Sequence, residues 1–384
     1  AKGVEDTTFY NFNRLVALNE VGGDPGHWSM PAEQFHAECQ YAKENHPYAQ
    51  LATTTHDTKR SEDVRARLYV LSEIPSAWAA AVREWSSLNE SFRTDLMPDR
   101  NTEYMLYQNL VGAWPIELPR FQAYMQKATR EAKANTAWTD PNPKFEEALE
   151  QFCAGIFEHA PFLASLEKFI ASIQQAGRTN SLAQLLLKIT TPGVPDFYQG
   201  NELWDFSLVD PDNRRPVDYE KRERVLKELQ ASASANSDLR NLVAELLSRK
   251  EDGRIKLYLS YRAFCCRRDH PGLFSTGKYV PLAVSRENAA HLFAFARVNE
   301  EHQAIVAVPR LLTGLAPDVE KPPLGPDCWR DTRIMLPEID SGLIWRNIFT
   351  GQDLVVEEKV GERYLLAASL FAHFPVALLL GQRT

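Results

Sequence analysis

The sequence predicts a multidomain α+β protein, with a mostly helical region ahead of a C-terminal antiparallel β-sandwich domain. Three observations predict it. At roughly 100 to 200 residues per domain, 384 residues make two or three domains with cores of their own. Apolar residues recur at helical spacing between Val64 and Ile189, and beyond about Phe274 the period changes to two.

Taken in order, the first segment, Ala1 to about Asn45, is mixed text with a turn signal at Gly22-Gly23-Asp24-Pro25-Gly26, and little regular structure is assigned to it. Ser61 caps a helix carrying Val64, Leu68 and Leu71, and Ser76 caps a second with Trp78, Ala81, Val82, Trp85 and Leu88 on one face. Phe145, Leu149, Phe152 and Ile156 repeat the pattern. A stripe of Phe162, Leu166, Phe169 and Ile173 ends at Gly177, and a new helix runs from Asn180 or Ser181 to Ile189, before Pro192-Gly193. Helical patterns return at Val225–Leu229 and Leu239–Leu247. His291–Arg297 and Ala304–Val308 read as strands joined through Asn299–His302, Pro317–Pro326 as a surface loop, and Thr332–Leu336 as a further strand.

Composition narrows the function. Lys plus Arg number 43 against 51 Asp plus Glu, giving a formal charge of −8 and a pI near 5.7, which argues against nucleic acid and anionic membrane surfaces as partners. No run approaches the roughly 18 apolar residues of a membrane span. The cysteines, Cys39, Cys153, Cys265, Cys266 and Cys328, are odd in number and scattered, which suggests reduced thiols in a cytoplasmic protein without disulfides or zinc. The histidines show no mutual ligand spacing, and neither a P-loop nor a Rossmann glycine fingerprint occurs, so no metal or cofactor is expected.

Two clusters carry chemistry. In Thr53-Thr54-Thr55-His56-Asp57-Thr58-Lys59-Arg60 a short strand runs into a loop before a helix, the place where α/β barrels display functional side chains. Equally, Asp57 and Thr58 can cap that helix while Lys59 and Arg60 are solvated. The second cluster, Pro192 to Tyr219, gathers acids, amides, rings and the pair Arg214-Arg215. Bidentate polar groups beside flat aromatic faces suit a sugar. The alternative is a charged loop whose Asp and Arg groups, Asp212, Arg214 and Arg215 among them, pair with one another.

Four stretches, Ala1–Tyr10 (AKGVEDTTFY), Leu18–Pro25 (LNEVGGDP), Thr55–Leu68 (THDTKRSEDVRARL) and Pro192–Tyr219, resemble the maltooligosyltrehalose synthase family of the alpha-amylase superfamily. Within them His56-Asp57 resembles the superfamily's His-Asp pair after barrel strand seven, and Gly193–Glu202 its strand-eight segment.

The resemblance implies that Asp57 stabilises an oxocarbenium-like transition state and that His56 binds hydroxyls of the same ring. Lys59 and Arg60 would contact the neighbouring sugar ring or Asp57, Tyr198, Gln199, Glu202 and Trp204 would contact substrate, and Asp210, Asp212, Arg214 and Arg215 would form a structural or substrate loop. The fold it implies is the remnant of a (β/α)8 barrel in residues 1–60, a helical subdomain in 61–190, the last barrel strand with its loop and helix in 191–250, and a C-terminal region, 251–384, ending in the β domain. A retaining glycosidase also needs a nucleophile and an acid/base. Only 55 residues precede His56, and at roughly 30 residues per (β/α) unit they leave no room for strands four to six. The expectation is a C-terminal fragment, inactive by itself, whose partners are a maltooligosaccharide, the missing N-terminal part of the parent, and a maltooligosyltrehalose trehalohydrolase. The competing expectations are a carbohydrate-binding or interaction module, and a fragment of an α-glucan hydrolase.

Overall fold

A computed structural model describes residues 2–316, 318–336, 342–359 and 361–383. Ala1, and Pro317 at the head of the expected surface loop, lie outside them. The principal helices are α1 (Lys2–Asn11), α2 (Ala32–Asn45), α3 (Glu62–Tyr69), α4 (Pro75–Leu88), α5 (Arg100–Ala113), α6 (Leu118–Ala132), α7 (Pro143–Glu158), α8 (Ala160–Thr190), α9 (Tyr219–Ala235), α10 (Arg240–Ser248) and α11 (Arg254–Asp269). No helix among the described residues is long and apolar enough to cross a membrane.

The chain divides into two compact units: Ala1–Ser29 with Thr54–Arg178 and Asp205–Pro216, and Met30–Thr53 with Thr179–Trp204 and Val217–Thr384. In the first unit the stripes expected from sequence form the core. Trp85, fully buried, meets Tyr107, Phe162 and Phe169 edge-on, and its Nε1 donates to Ser165 Oγ at 3.0 Å. Aromatic edges against faces add to burial itself, and the indole N–H has its acceptor. Ser61 caps α3 by accepting the Val64 N–H. Asn142 caps α7 in the same way.

Three local expectations are corrected. Ser76 does not cap α4, because Pro75 takes the first helical position and Ile74 the cap. Gly177 does not end a helix: α8 runs through it, since a Cβ there would lie 2.9 Å from Arg67 Cα, and the glycine permits close approach of the two backbones. Residues 1–45 do contain helices. In α1, Thr7 and Thr8 turn their hydroxyls onto Gly3 and Val4 carbonyls, and in α2 only Cys39 is buried, so neither helix writes an apolar stripe.

The second unit holds every named strand. Here β1 (Gln50–Ala52) pairs in parallel with β2 (Val194–Asp196), Gln50 opposite Val194 and Ala52 opposite Asp196. Gly193, at φ +129°, allows this pairing, because a Cβ would strike Leu51 Cγ at 2.7 Å and the Ala49 carbonyl oxygen at 2.8 Å. Beyond Phe274 lie β3 (Lys278–Pro281), β4 (Val284–Ser285), β5 (Leu292–Val298), β6 (Gln303–Pro309), β7 (Arg333–Met335), β8 (Leu343–Asn347), β9 (Asp353–Leu354), β10 (Glu357–Lys359), β11 (Glu362–Leu366) and β12 (Ala377–Arg383). They form two antiparallel sheets, ordered β3-β5-β6-β12-β8-β9 and β10-β11-β7-β4. Strands β5 and β6 are buried almost throughout, so their period of two is replaced by continuous apolar text. Buried Arg297 on β5 donates to the carbonyls of Thr190, Phe274 and Gly277, and burial, then nearby Arg267, lowers its pKa to about 10.

Candidate functional site

In the first unit the loop after β1 is a small hydrogen-bonded turn. Thr55 N–H donates to Thr58 Oγ1 (3.2 Å), Thr58 Oγ1 returns to the Thr55 carbonyl (2.9 Å), and Asp57 N–H donates to Thr55 Oγ1 (3.2 Å). His56 is exposed at the tip and Asp57 half-buried. The α3 cap is Ser61, so the helix does not need Asp57 as its cap.

Glu20 holds the far side of the turn. Its carboxylate accepts the Lys59 N–H at 2.8 and 2.9 Å and the Arg60 N–H at 3.3 Å. The Lys59 ammonium, 2% exposed, lies 2.8 Å from Asp6 Oδ1 and 3.5 Å from Asp57 Oδ1. Burial opposes its charge, but the hydrogen bond and charge of Asp6, with Asp57 and Glu131, outweigh that and hold its pKa above the ordinary lysine value. The pKa of Glu131 is raised as well, chiefly by burial. Arg60 is fully buried, with Nε on Asn109 Oδ1 (2.8 Å) and Nη2 on the Tyr124 hydroxyl (3.1 Å). A guanidinium so placed offers no surface to a sugar in this chain; it supports the loop from beneath.

The segment Asp205–Pro216 belongs to the same unit and lies along this loop. Arg60 and Leu208 form an isolated antiparallel bridge, Ser61 Oγ donates to the Asp205 carbonyl, and Asp205 N–H reaches Asp63 Oδ2 at 2.8 Å. Asp212 is buried and gripped by Arg120 through Nε–Oδ1 (2.8 Å) and Nη2–Oδ2 (3.0 Å), while Oδ2 accepts the Leu208 N–H (2.8 Å). Arg215 Nε stands 3.1 Å from Asp212 Oδ1, and Arg214 pairs with Asp210 at 2.8 Å. These four residues make the internal pairing network that the sequence allowed as one alternative. Asn213 Nδ2 then donates to the His56 carbonyl at 3.1 Å, joining segment and loop.

Tyr198, Gln199, Glu202 and Trp204 follow β2 in the second unit. Tyr198 is half-buried and Gln199 exposed. Glu202 takes Arg222 Nε at 2.8 Å, and Trp204 Nε1 donates to the Lys250 carbonyl at 2.7 Å. Lys188 fixes the ends of both strands, its ammonium 2.7 Å from Thr53 Oγ1 and 3.8 Å from the centre of the Phe197 ring. Among the described residues there is no cluster of three or more side chains able to hold a metal ion.

Asp6, Glu20, Arg120, Asn213 and Arg222 were not singled out from the sequence. Their partners lie far off in the chain, 39 residues for Glu20 and Lys59, 92 for Arg120 and Asp212, 157 for Asn213 and His56, and no local pattern signals such pairs.

No protein-family model matches the chain. A Mycobacterium tuberculosis protein assigned as a maltooligosyl trehalose synthase is 35% identical over 386 residues, covering 99% of this chain and 44% of that relative. The structure of maltooligosyltrehalose synthase from Arthrobacter ramosus is 37% identical with a TM-score of 0.83, over 100% of this chain and 45% of that one. The chain is homologous to part of the maltooligosyltrehalose synthases. A further maltooligosyl trehalose synthase crystal structure agrees at 31% identity and a TM-score of 0.76, covering 98% of this chain and 46% of its own. The chain thus spans less than half the length of the synthases it matches, and the likeness takes in both units.

Proposed function

We propose that the chain is the C-terminal portion of a maltooligosyltrehalose synthase, whose whole form converts the reducing-end α-1,4 bond of a maltooligosaccharide into an α,α-1,1 bond. The observation that carries this reading is similarity along the entire chain to synthases of known structure, beside the His56-Asp57 motif of the Thr55–Arg60 loop. In this reading β1 and β2 are the seventh and eighth strands of the superfamily barrel, and the two antiparallel sheets form the C-terminal sandwich. The nucleophile and the acid/base that a retaining mechanism requires are carried by the portion of the parent that this chain does not span. The chain alone is inactive.

Asp57 supplies negative charge where the sugar ring becomes cationic, a role that a fixed carboxylate fills better than water, because it need not reorient as charge develops. Lys59 is a positioning residue: bonded to Asp6 and facing Asp57, it sets where that carboxylate stands. His56 contacts hydroxyls of the same ring, and Tyr198, Gln199, Glu202 and Trp204 act on substrate from the segment after β2. Intramolecular transfer requires the released glucose to be held and turned while water is kept out. The trehalose-ended product suits a trehalohydrolase, the functional partner in a cytoplasmic route.

The test incubates the full-length parent with maltopentaose. A product of unchanged length without a reducing end is expected; shorter reducing sugars would mark a hydrolase instead.

A further inference from the structure

Among the described residues β1 and β2 pair with each other alone, and they run parallel. Parallel sheets are ordinarily covered on both faces by the rest of their fold. Here one face is covered: Phe197, directly after β2 and in step with Pro195, meets Phe264 of α11 edge-on at 5.2 Å. The opposite face, with Gln50, Ala52, Val194 and Asp196, is exposed.

Beside the covered face a groove of about 720 Å³ opens between α9 and α11, within the second unit. Phe197, Leu226, Tyr261 and Phe264 wall it, each packed against the core yet only half-buried, and Cys265 is half-buried beside them. The volume would admit a small molecule, but such a ligand needs polar groups to orient it. Those in the walls are engaged within the chain: Glu202 by Arg222 at 2.8 Å, Arg268 by Asp269 at 2.9 Å, and Ser260 Oγ on the Lys256 carbonyl at 3.1 Å. Aromatic and aliphatic surface remains, low in free charge, which is the make-up of the centre of a contact between polypeptides.

We propose that the α9–α11 groove is an interaction surface whose occupant is an apolar segment from the portion of the parent that this chain does not span. The synthases that the chain matches carry more than half their length beyond the part it covers, so an occupant of the right kind exists in the parent. The choice of occupant rests on the proposed function; the open groove does not. The segment would lay its side chains against Phe197, Tyr261 and Phe264 and seal Cys265 from solvent. Because Phe197 directly follows β2, the same contact would fix the end of the strand from which the proposed substrate segment, Tyr198–Trp204, departs.

Hydroxyl-radical footprinting of this chain and of the full-length parent, read by peptide mass spectrometry, tests it. Tyr258 is the internal standard, since it lies on α11 one turn before Tyr261 and is fully buried. In this chain Tyr261 should oxidise severalfold faster than Tyr258, with Phe264 and Cys265 also modified. In the parent the difference between the two tyrosines should vanish, and Phe264 and Cys265 should be protected. Should the chain not hold its fold in solution, the two tyrosines of the parent decide alone. A Tyr261 that stays severalfold faster in the parent means an open groove and overturns the proposal. Protection in this chain alone that grows with its concentration overturns it too, because a second copy would then be the occupant. The readout is packing and not product, so its failure leaves the maltopentaose assay to judge the synthase reading separately.

Discussion

The Lys59 ammonium sits 2.8 Å from the Asp6 carboxylate at 2% side-chain exposure, which makes Lys59 the central cation of a cluster that includes the carboxylates of Asp6, Asp57 and Glu131. Replacing it by an apolar residue leaves those groups to repel one another in partly desolvated surroundings. Lys59→Met should destabilise the first unit by about 3 kcal/mol, the usual cost of removing one member of a buried pair. Chemical denaturation measures it. The sign of the pH effect follows from the raised pKa: the contribution is complete below the ordinary lysine value of 10.5 and disappears as pH rises through the higher folded-state value. An alkaline loss of stability that Asp6→Asn removes is the expected outcome. An identical alkaline limb in both proteins would contradict the pairing.

Glu146 provides the opposite case. The Arg130 guanidinium forms two hydrogen bonds with its carboxylate, at 2.8 and 2.6 Å, and Thr136 adds a third. The Arg130 hydrogen bonds, more than the smaller contribution of Thr136, lower its pKa to about 2. A depressed carboxylate stabilises the fold above its unfolded value of 4.5, and that stability is lost as pH falls through about 2. Wild type should therefore lose stability across this interval, and Glu146→Gln should show a flatter acid limb in thermal melts. Parallel acid limbs would show that the pair contributes nothing to stability.

Gly177 marks the limit of what local sequence conveys. Read alone, a glycine after an apolar stripe ends a helix, yet α8 continues through it because Arg67 packs against it. Arg67 cannot move aside, since its Nη1 bonds the Val111, Gly112 and Trp114 carbonyls. Gly177→Ala should therefore cost about 2 kcal/mol through overpacking, despite the better helix propensity of alanine. A shifted denaturation midpoint checks it; a stabilised protein would show that Arg67 yields.

Elements that bury a periodic face were legible, as with the Ser61-capped α3, the Phe145 stripe of α7 and the β5–β6 hairpin. Helices α1 and α2 were not, because little of their surface is apolar and periodic. The site divides in the same way. His56 and Asp57 stand in a recognisable motif, and the pairing of Asp212 with Arg215 is local in sequence. Glu20, Arg120 and Asn213 act over separations that only the folded chain closes. Arg60 shows why a motif residue need not touch substrate: three hydrogen bonds, to Asn109, Tyr124 and the Asn19 carbonyl, occupy it inside the core.

The most direct test of the proposed chemistry is Asp57→Asn in the full-length parent, assayed for trehalose-ended product from maltopentaose alongside a thermal melt. Asparagine preserves the shape and leaves the helix cap at Ser61 untouched, while removing the charge that matters when the sugar ring becomes cationic. The expected result is a fall in kcat of at least about a hundredfold with a nearly unchanged melting temperature, in line with losses seen when a single transition-state contact is removed. Near-normal turnover in a folded Asp57→Asn protein would contradict it, and Asp57 would then have no part in the chemistry.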